Sequence, residues 1–226
     1  MSLFAQSHSA RSPHRRRAAR WLALGDSYTV GEGVATHESW PVRLAALLAE
    51  AGDAVEPPRI VATTGWTAGE LLTGMEAAGV WPAREHYDIV SLLIGVNDQY
   101  RGRSPAEFAP DYARCAERAV ALAGGQAKRV LGLSIPDWGV TRFAAGRDRA
   151  AIAQAIDAFN ARERGHLTAR GAQWCDITTL SRRHGDDGAF LAADGLHPGA
   201  AAYIEWARLG LPAARAALAG LGAHGH

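Results

Sequence analysis

Five short apolar runs, separated by longer segments rich in Ala and Leu, restrict the possible folds of this chain more than any other feature. The runs cover residues 21–24, 60–63, 89–94, 130–135 and 173–177. Near-continuous hydrophobicity over so few residues suits a parallel strand covered on both faces, because neither row of side chains meets water. The intervening segments, 41–51, 68–78, 105–122, 148–170 and 198–218, carry apolar residues at helical intervals. In the first of these, Val42, Ala45, Ala46 and Ala49 recur every three or four residues and predict its buried face. Strand followed by helix, repeated along the chain, predicts a three-layer α/β/α domain around a parallel sheet. Such folds bind ligands beyond the carboxyl ends of their strands. The chemistry is therefore expected in the Gly-rich stretches 25–36, 64–67, 95–104, 136–146 and 178–197. Within the last, the charged cluster 181–187 reads as an exposed loop.

At 226 residues with 48% hydrophobic and 21% charged side chains, the chain supports one sizeable core. Its first twenty residues hold Arg11, Arg15, Arg16, Arg17 and Arg20 and no carboxylate. The other 206 keep 19 basic against 23 acidic side chains, a net charge of −4. The predicted organisation is a flexible basic arm over 1–19, a single domain over 20–220 and a frayed tail over 221–226 that includes His224 and His226. An acidic body without a basic stripe argues against nucleic-acid binding. No apolar run approaches the 18 or so residues of a membrane span. In the arm the charges follow Leu3, Phe4 and Ala5, the reverse of a secretory signal, so a cytoplasmic location is expected. Cys115 and Cys175 read as free thiols, since one pair makes no disulfide framework. Neither CxxC nor HExxH spacing occurs, so no metal and no cofactor is implied. Lys128 as the sole lysine, in a chain rich in Ala and Arg, points to a GC-rich bacterial genome.

The first run leads into Gly25-Asp26-Ser27-Tyr28-Thr29-Val30-Gly31-Glu32-Gly33, which places a serine just past a buried strand. Two phosphate-loop readings fail here. Glu32 follows Gly31 where a Walker loop needs Lys, and Thr36 stands where a dinucleotide fingerprint needs its third Gly. The GxSxG elbow fails as well, with Thr29 in place of the second Gly. Near the other end lies Asp194-Gly195-Leu196-His197-Pro198. A serine nucleophile needs a base, and an imidazole base needs a carboxylate to orient it. Asp194 and His197, with Gly195 between them, can curl into contact, and Pro198 suits the first turn of the helix that follows. Thr64-Gly65-Trp66 and Gly95-Val96-Asn97-Asp98 follow the second and third runs. A Gly N–H and an Asn amide can together stabilise a tetrahedral oxyanion.

These four blocks, in this order, resemble the SGNH-hydrolase (GDSL esterase/lipase) superfamily over residues 20–215. The resemblance implies a flavodoxin-like five-stranded sheet of order 2-1-3-4-5 and metal-free hydrolysis of acyl esters. It implies Ser27 as nucleophile, His197 as general base and acid, and Asp194 as its orienting carboxylate. The N–H groups of Ser27 and Gly65 and the amide of Asn97 would form the oxyanion hole. Asp26 would be a supporting carboxylate that bonds amides of neighbouring loops. Two positions depart from the pattern: Thr63 replaces an Asn often found before the Gly65 block, and Gly199 replaces one often found after His-Pro.

Tyr100, Arg101 and Trp138 are candidate substrate contacts, with Arg103 and Phe143 nearby. Aromatics beside Arg suit a short-chain ester, a lysophospholipid-like ester or a sugar ester, and the lack of a lid segment favours a small acyl group. The expected partner is thus a small-molecule acyl ester. An acyltransferase using the same acyl-serine, and a non-catalytic ligand-binding relative, remain alternatives at this level.

Overall fold

The computed structural model describes residues 17–219. Most of the predicted basic arm, residues 1–16, and the predicted tail over 221–226 lie outside the described residues. The apolar runs form the strands β1 (Trp21–Gly25), β2 (Arg59–Ala62), β3 (Ile89–Leu93), β4 (Val130–Leu133) and β5 (Gln173–Cys175). They pair in parallel in the order β2-β1-β3-β4-β5, which is the order the resemblance implies. β1, β3 and β4 are buried at every position, whereas the edge strands β2 and β5 are partly exposed. The expected runs overshoot at their carboxyl ends: Thr63, Ile94, Ser134, Ile135, Asp176 and Ile177 have left the ladder, and the chain turns there into the loops that carry polar side chains.

Eight α-helices occur among the described residues: α1 (Ser27–Val30), α2 (Trp40–Glu50), α3 (Ala68–Ala77), α4 (Val96–Tyr100), α5 (Pro105–Leu122), α6 (Arg149–Thr168), α7 (Thr178–His184) and α8 (Ala200–Leu218). α2 and α8 pack on each other and form one outer layer, while α3, α5 and α6 form the other. Trp21 meets Trp40 at 5.9 Å, and its indole N–H donates to Ser91 Oγ at 3.1 Å, so a large ring is buried without an orphaned donor. On the α5–α6 side, Phe108 stacks on Phe159 at 4.7 Å. Capping boxes pair Thr67 with Glu70 at the start of α3 and Ser104 with Glu107 at the start of α5, satisfying first-turn amides that no helical carbonyl can reach.

The structure corrects three local expectations. The buried stripe of α2 is Trp40, Pro41, Leu44 and Leu48, while Ala46 and Ala49 are exposed. Leucines remove more apolar area from water than alanines, so the helix rotates to bury them. Pro198 lies just before the N-cap Gly199 of α8 instead of in its first turn. Asp176 Oδ1 accepts the amides of Thr178 and Thr179 at the start of α7, which runs on through residues 181–184, so the cluster 181–187 is a loop only in its second half. The domain is fastened from Arg17 onward. That guanidinium binds the Asp88 carboxylate at 2.7 and 2.9 Å, and the Ala19 amide donates to Ala54.

Candidate active site

β1 has β2 on one side and β3 on the other, so the chain reverses its winding direction at β1 and opens a crevice at the carboxyl ends of β1 and β3. Ser27 and Asn97 both enter it. Asp26 caps α1 by accepting the Tyr28 amide at 3.0 Å, which places Ser27 on the first residue of that helix. His197 arrives from the loop before α8. Gly195 adopts φ +70°, a conformation few other residues tolerate, and this lets the Asp194 carboxylate fold back. Asp194 Oδ1 accepts the amides of Leu196 and His197 at 2.9 and 3.0 Å, and its Oδ2 lies 2.6 Å from His197 Nδ1. His197 Nε2 then lies 3.1 Å from Ser27 Oγ. Residues 170 positions apart thus form one hydrogen-bonded line. Burial alone would raise the pKa of Asp194, but the hydrogen bonds from the His197 ring and the two amides outweigh it and hold the carboxyl below its usual range. The buried ring of Tyr28 meets the imidazole edge-on at 5.8 Å and meets Trp206 edge-on at 6.0 Å, so His197 packs against an aromatic pair.

The predicted oxyanion donors reach the same cleft. Ser27, Gly65, Asn97 and His197 line a space of about 220 Å³. Asn97 donates one amide N–H to the Trp66 carbonyl at 2.9 Å, which orients the group and leaves its second N–H free. Gly65 sits at φ +85°. Arg101 does not line the cleft as expected. It donates to the Gly65 carbonyl at 2.7 Å and to Glu70 at 3.3 Å, bracing the loop that presents the Gly65 amide. Tyr100 and Trp138 do line the cleft, with Phe143 beside them. The Trp138 indole is tied to Gln99 at 2.8 Å. Thr63 is exposed and contributes its carbonyl to the Trp66 amide. At Gly199 a Cβ would come within 3.0 Å of the Leu191 carbonyl oxygen, which explains a residue without a side chain there.

Asp26 corrects another expectation. Oδ1 accepts only the amide of Tyr28, in its own helix, and among the described residues Oδ2 has no partner. Burial raises its pKa to about 8, so at neutral pH it is mainly protonated and places no full negative charge beside the nucleophile. The loop-bridging role falls to Asp98, whose fully buried carboxylate accepts the Ala68 amide at 2.9 Å and pairs with Arg103 at 2.5 Å. Glu163 of α6 lies behind Gly95 with both oxygens unpartnered among the described residues, and burial pushes its carboxyl well up. The sequence reading missed the roles of Tyr28, Asp98 and Glu163. Tyr28 and Asp98, adjoining Ser27 and Asn97 in the first and third blocks, carried a local signal, and Glu163 carried none.

Cys115 and Cys175 are both buried free thiols. Among the described residues no helix is long and apolar enough to cross a membrane.

An in-line Ser, His and Asp at the switch point of a five-stranded parallel sheet, with amide donors beside them, define a three-layer α/β/α protein equipped for serine hydrolase chemistry. The chain belongs to the GDSL-like lipase/acylhydrolase family, whose profile matches residues 23–203. Membership implies ester hydrolysis through a serine. Among solved structures the chain resembles TesA, at 24% identity and a TM-score of 0.68, over 88% of this chain and 99% of that one. It also resembles the psychrotrophic esterase EstA from Pseudoalteromonas sp., in a structure inhibited by monoethylphosphonate, at 15% identity and a TM-score of 0.66 over 87% and 97% of the two chains. The lipase/acylhydrolase from Enterococcus faecalis matches at 19% identity and a TM-score of 0.64, over 86% and 94%. At these identities the likeness establishes the fold. No curated protein sequence matches the chain.

Proposed function

We propose that this protein hydrolyses small carboxylic acyl esters through an acyl-serine intermediate. The observation that carries the reading is the continuous line from Asp194 through His197 to Ser27 Oγ, with both contacts within hydrogen-bond reach. Ser27 Oγ attacks the ester carbonyl as His197 Nε2 takes its proton. Asp194 stabilises the resulting imidazolium. The carbonyl oxygen becomes an oxyanion that accepts from the Ser27 and Gly65 amides and from the free N–H of Asn97. As the tetrahedral intermediate collapses, the C–O bond to the alcohol breaks and His197 returns the proton to the departing oxygen. Water then enters, gives its proton to His197 and attacks the acyl-serine, and Ser27 regains its proton as the carboxylic acid leaves.

A cleft of about 220 Å³ is smaller than the pockets of roughly 300–1,000 Å³ that enclose drug-sized ligands, which supports a short acyl group. Initial rates on p-nitrophenyl esters from acetyl to dodecanoyl, with Ser27→Ala alongside, test the proposal. The expected result is turnover that depends on Ser27 and peaks at short chains. Equal rates for wild type and Ser27→Ala on every ester would refute it. Labelling with an alkyl phosphonate ester should place a single adduct on Ser27.

A further inference from the structure

At the cleft's outer end, three aromatic rings gather around one arginine. Tyr100 stands edge-on to Trp138 with centroids 5.3 Å apart, and Phe143 lies 6.2 and 6.4 Å from Trp138 and Tyr100. The guanidinium carbon of Arg147 is 5.3, 5.4 and 5.6 Å from the centroids of Tyr100, Trp138 and Phe143. All three rings line the space into which Ser27 and His197 open. Ring quadrupoles attract the cation and fix its plane. One of its five N–H groups donates to the Tyr100 hydroxyl at 3.2 Å, and among the described residues the other four have no acceptor.

The charge of Arg147 is also uncompensated. Arg101 pairs with Glu70, Arg103 with Asp98 and Asp111, and Arg182 with Asp137 and Asp157. Arg142 and Arg149 also lack a carboxylate partner among the described residues but donate to the Asp186 and Thr141 carbonyls. No carboxylate among the described residues lies within 4.0 Å of Arg147, and neighbouring Asp148 is occupied in capping α6. Nor does the loop need Arg147 to hold its shape. The Phe143 amide donates to Gly195, the Thr141 hydroxyl to Trp138 and the Trp138 indole to Gln99. Arg147 is exposed and does not itself line the cleft, but it packs on the three rings that do, and it offers unused donors that match a carboxylate or phosphate. Because the rings already restrain it, little entropy is lost on binding.

We propose that the cleft selects esters bearing an anionic group, carboxylate or phosphate, remote from the scissile carbonyl, and that Arg147 is the specificity-determining residue that receives it. The inference rests on the hydrolase reading above. The rings of Tyr100, Trp138 and Phe143 would floor the apolar stretch between ester and anion.

Matched substrates test it. On the acyl side, p-nitrophenyl hexanoate is compared with the p-nitrophenyl monoester of adipic acid. On the alcohol side, phenyl acetate is compared with 4-acetoxybenzoate and with 4-acetoxyphenyl phosphate, which separate carboxylate from phosphate. The ratio of kcat/KM, anionic over neutral, is measured for wild type, Arg147→Met and Arg147→Lys. In at least one pair the wild-type ratio should exceed that of Arg147→Met by about tenfold, the value of one exposed charge-assisted contact. Arg147→Lys should recover part of it, and added salt should lower the rate on the anionic member alone. Wild-type and Arg147→Met ratios that agree in every pair would overturn the inference, while Ser27-dependent turnover of the neutral members would leave the hydrolase reading standing. No Ser27-dependent turnover of any member would overturn both.

Discussion

Replacing Asp26 by asparagine tests whether the carboxyl beside Ser27 carries a proton in the folded protein. Burial raises its pKa from the ordinary 3.8 to about 8, and the charge of Asp98 acts in the same direction. Between those values the native state holds a proton that the unfolded chain has released. The residue's contribution to stability is therefore fully present below about pH 4 and is lost as the pH rises through 8, the reverse of a salt-bridged aspartate. A shift of this span is worth at most about 6 kcal/mol. About a quarter of it is already lost by pH 5, which leaves about 4 kcal/mol between pH 5 and pH 9. In Asp26→Asn the carboxamide cannot ionise, and its oxygen still serves the Tyr28 amide. Its NH₂ carries one more unpaired donor than the protonated acid, which costs about 1–2 kcal/mol. The variant should thus be about as stable as wild type at pH 5 and gain about 4 kcal/mol relative to it by pH 9. Urea unfolding followed by tryptophan fluorescence at fixed ionic strength reads this difference. Asp98 and Glu163 titrate in both proteins and largely cancel. A difference that stayed constant with pH, or grew against the variant, would refute the reasoning.

Asn97→Ala should lower kcat by about 10²–10³ while leaving the far-UV circular dichroism unchanged, because it removes an oxyanion donor and only one hydrogen bond, to Trp66. Asp194→Asn should lower kcat by about 10⁴ through loss of the tautomer that leaves Nε2 free. The deficit is read from initial rates at pH 8, and a loss of less than tenfold would contradict the assignment. Gly25→Ala should destabilise the fold by about 3 kcal/mol in denaturant melts, because its Cβ would meet Thr29 Oγ1 at 2.2 Å and the Leu93 carbonyl oxygen at 2.5 Å.

The parts of this protein that were legible in its sequence are those set by local chemistry. Short apolar runs alternating with longer helical segments fit covered parallel strands, so all five strands were readable. Ser27, Gly65 and Asn97 each follow a strand end within a few residues, and Asp194 and His197 are held together by a turn that Gly195 alone makes possible. What the sequence left open depends on partners that only the fold supplies. Leu44 and Leu48 prevail over Ala46 and Ala49 in α2 because α8 packs against that side. Arg101 turns back to a carbonyl 36 residues earlier, Asp98 takes the loop-bridging role expected of Asp26, and Arg147 meets one ring from α4 and two from the segment after β4. Spacing along the chain determined which groups could serve as nucleophile, base and donors. The protonation of Asp26 and the unpaired charge at the rim follow from desolvation and distance, which exist only once the chain has packed.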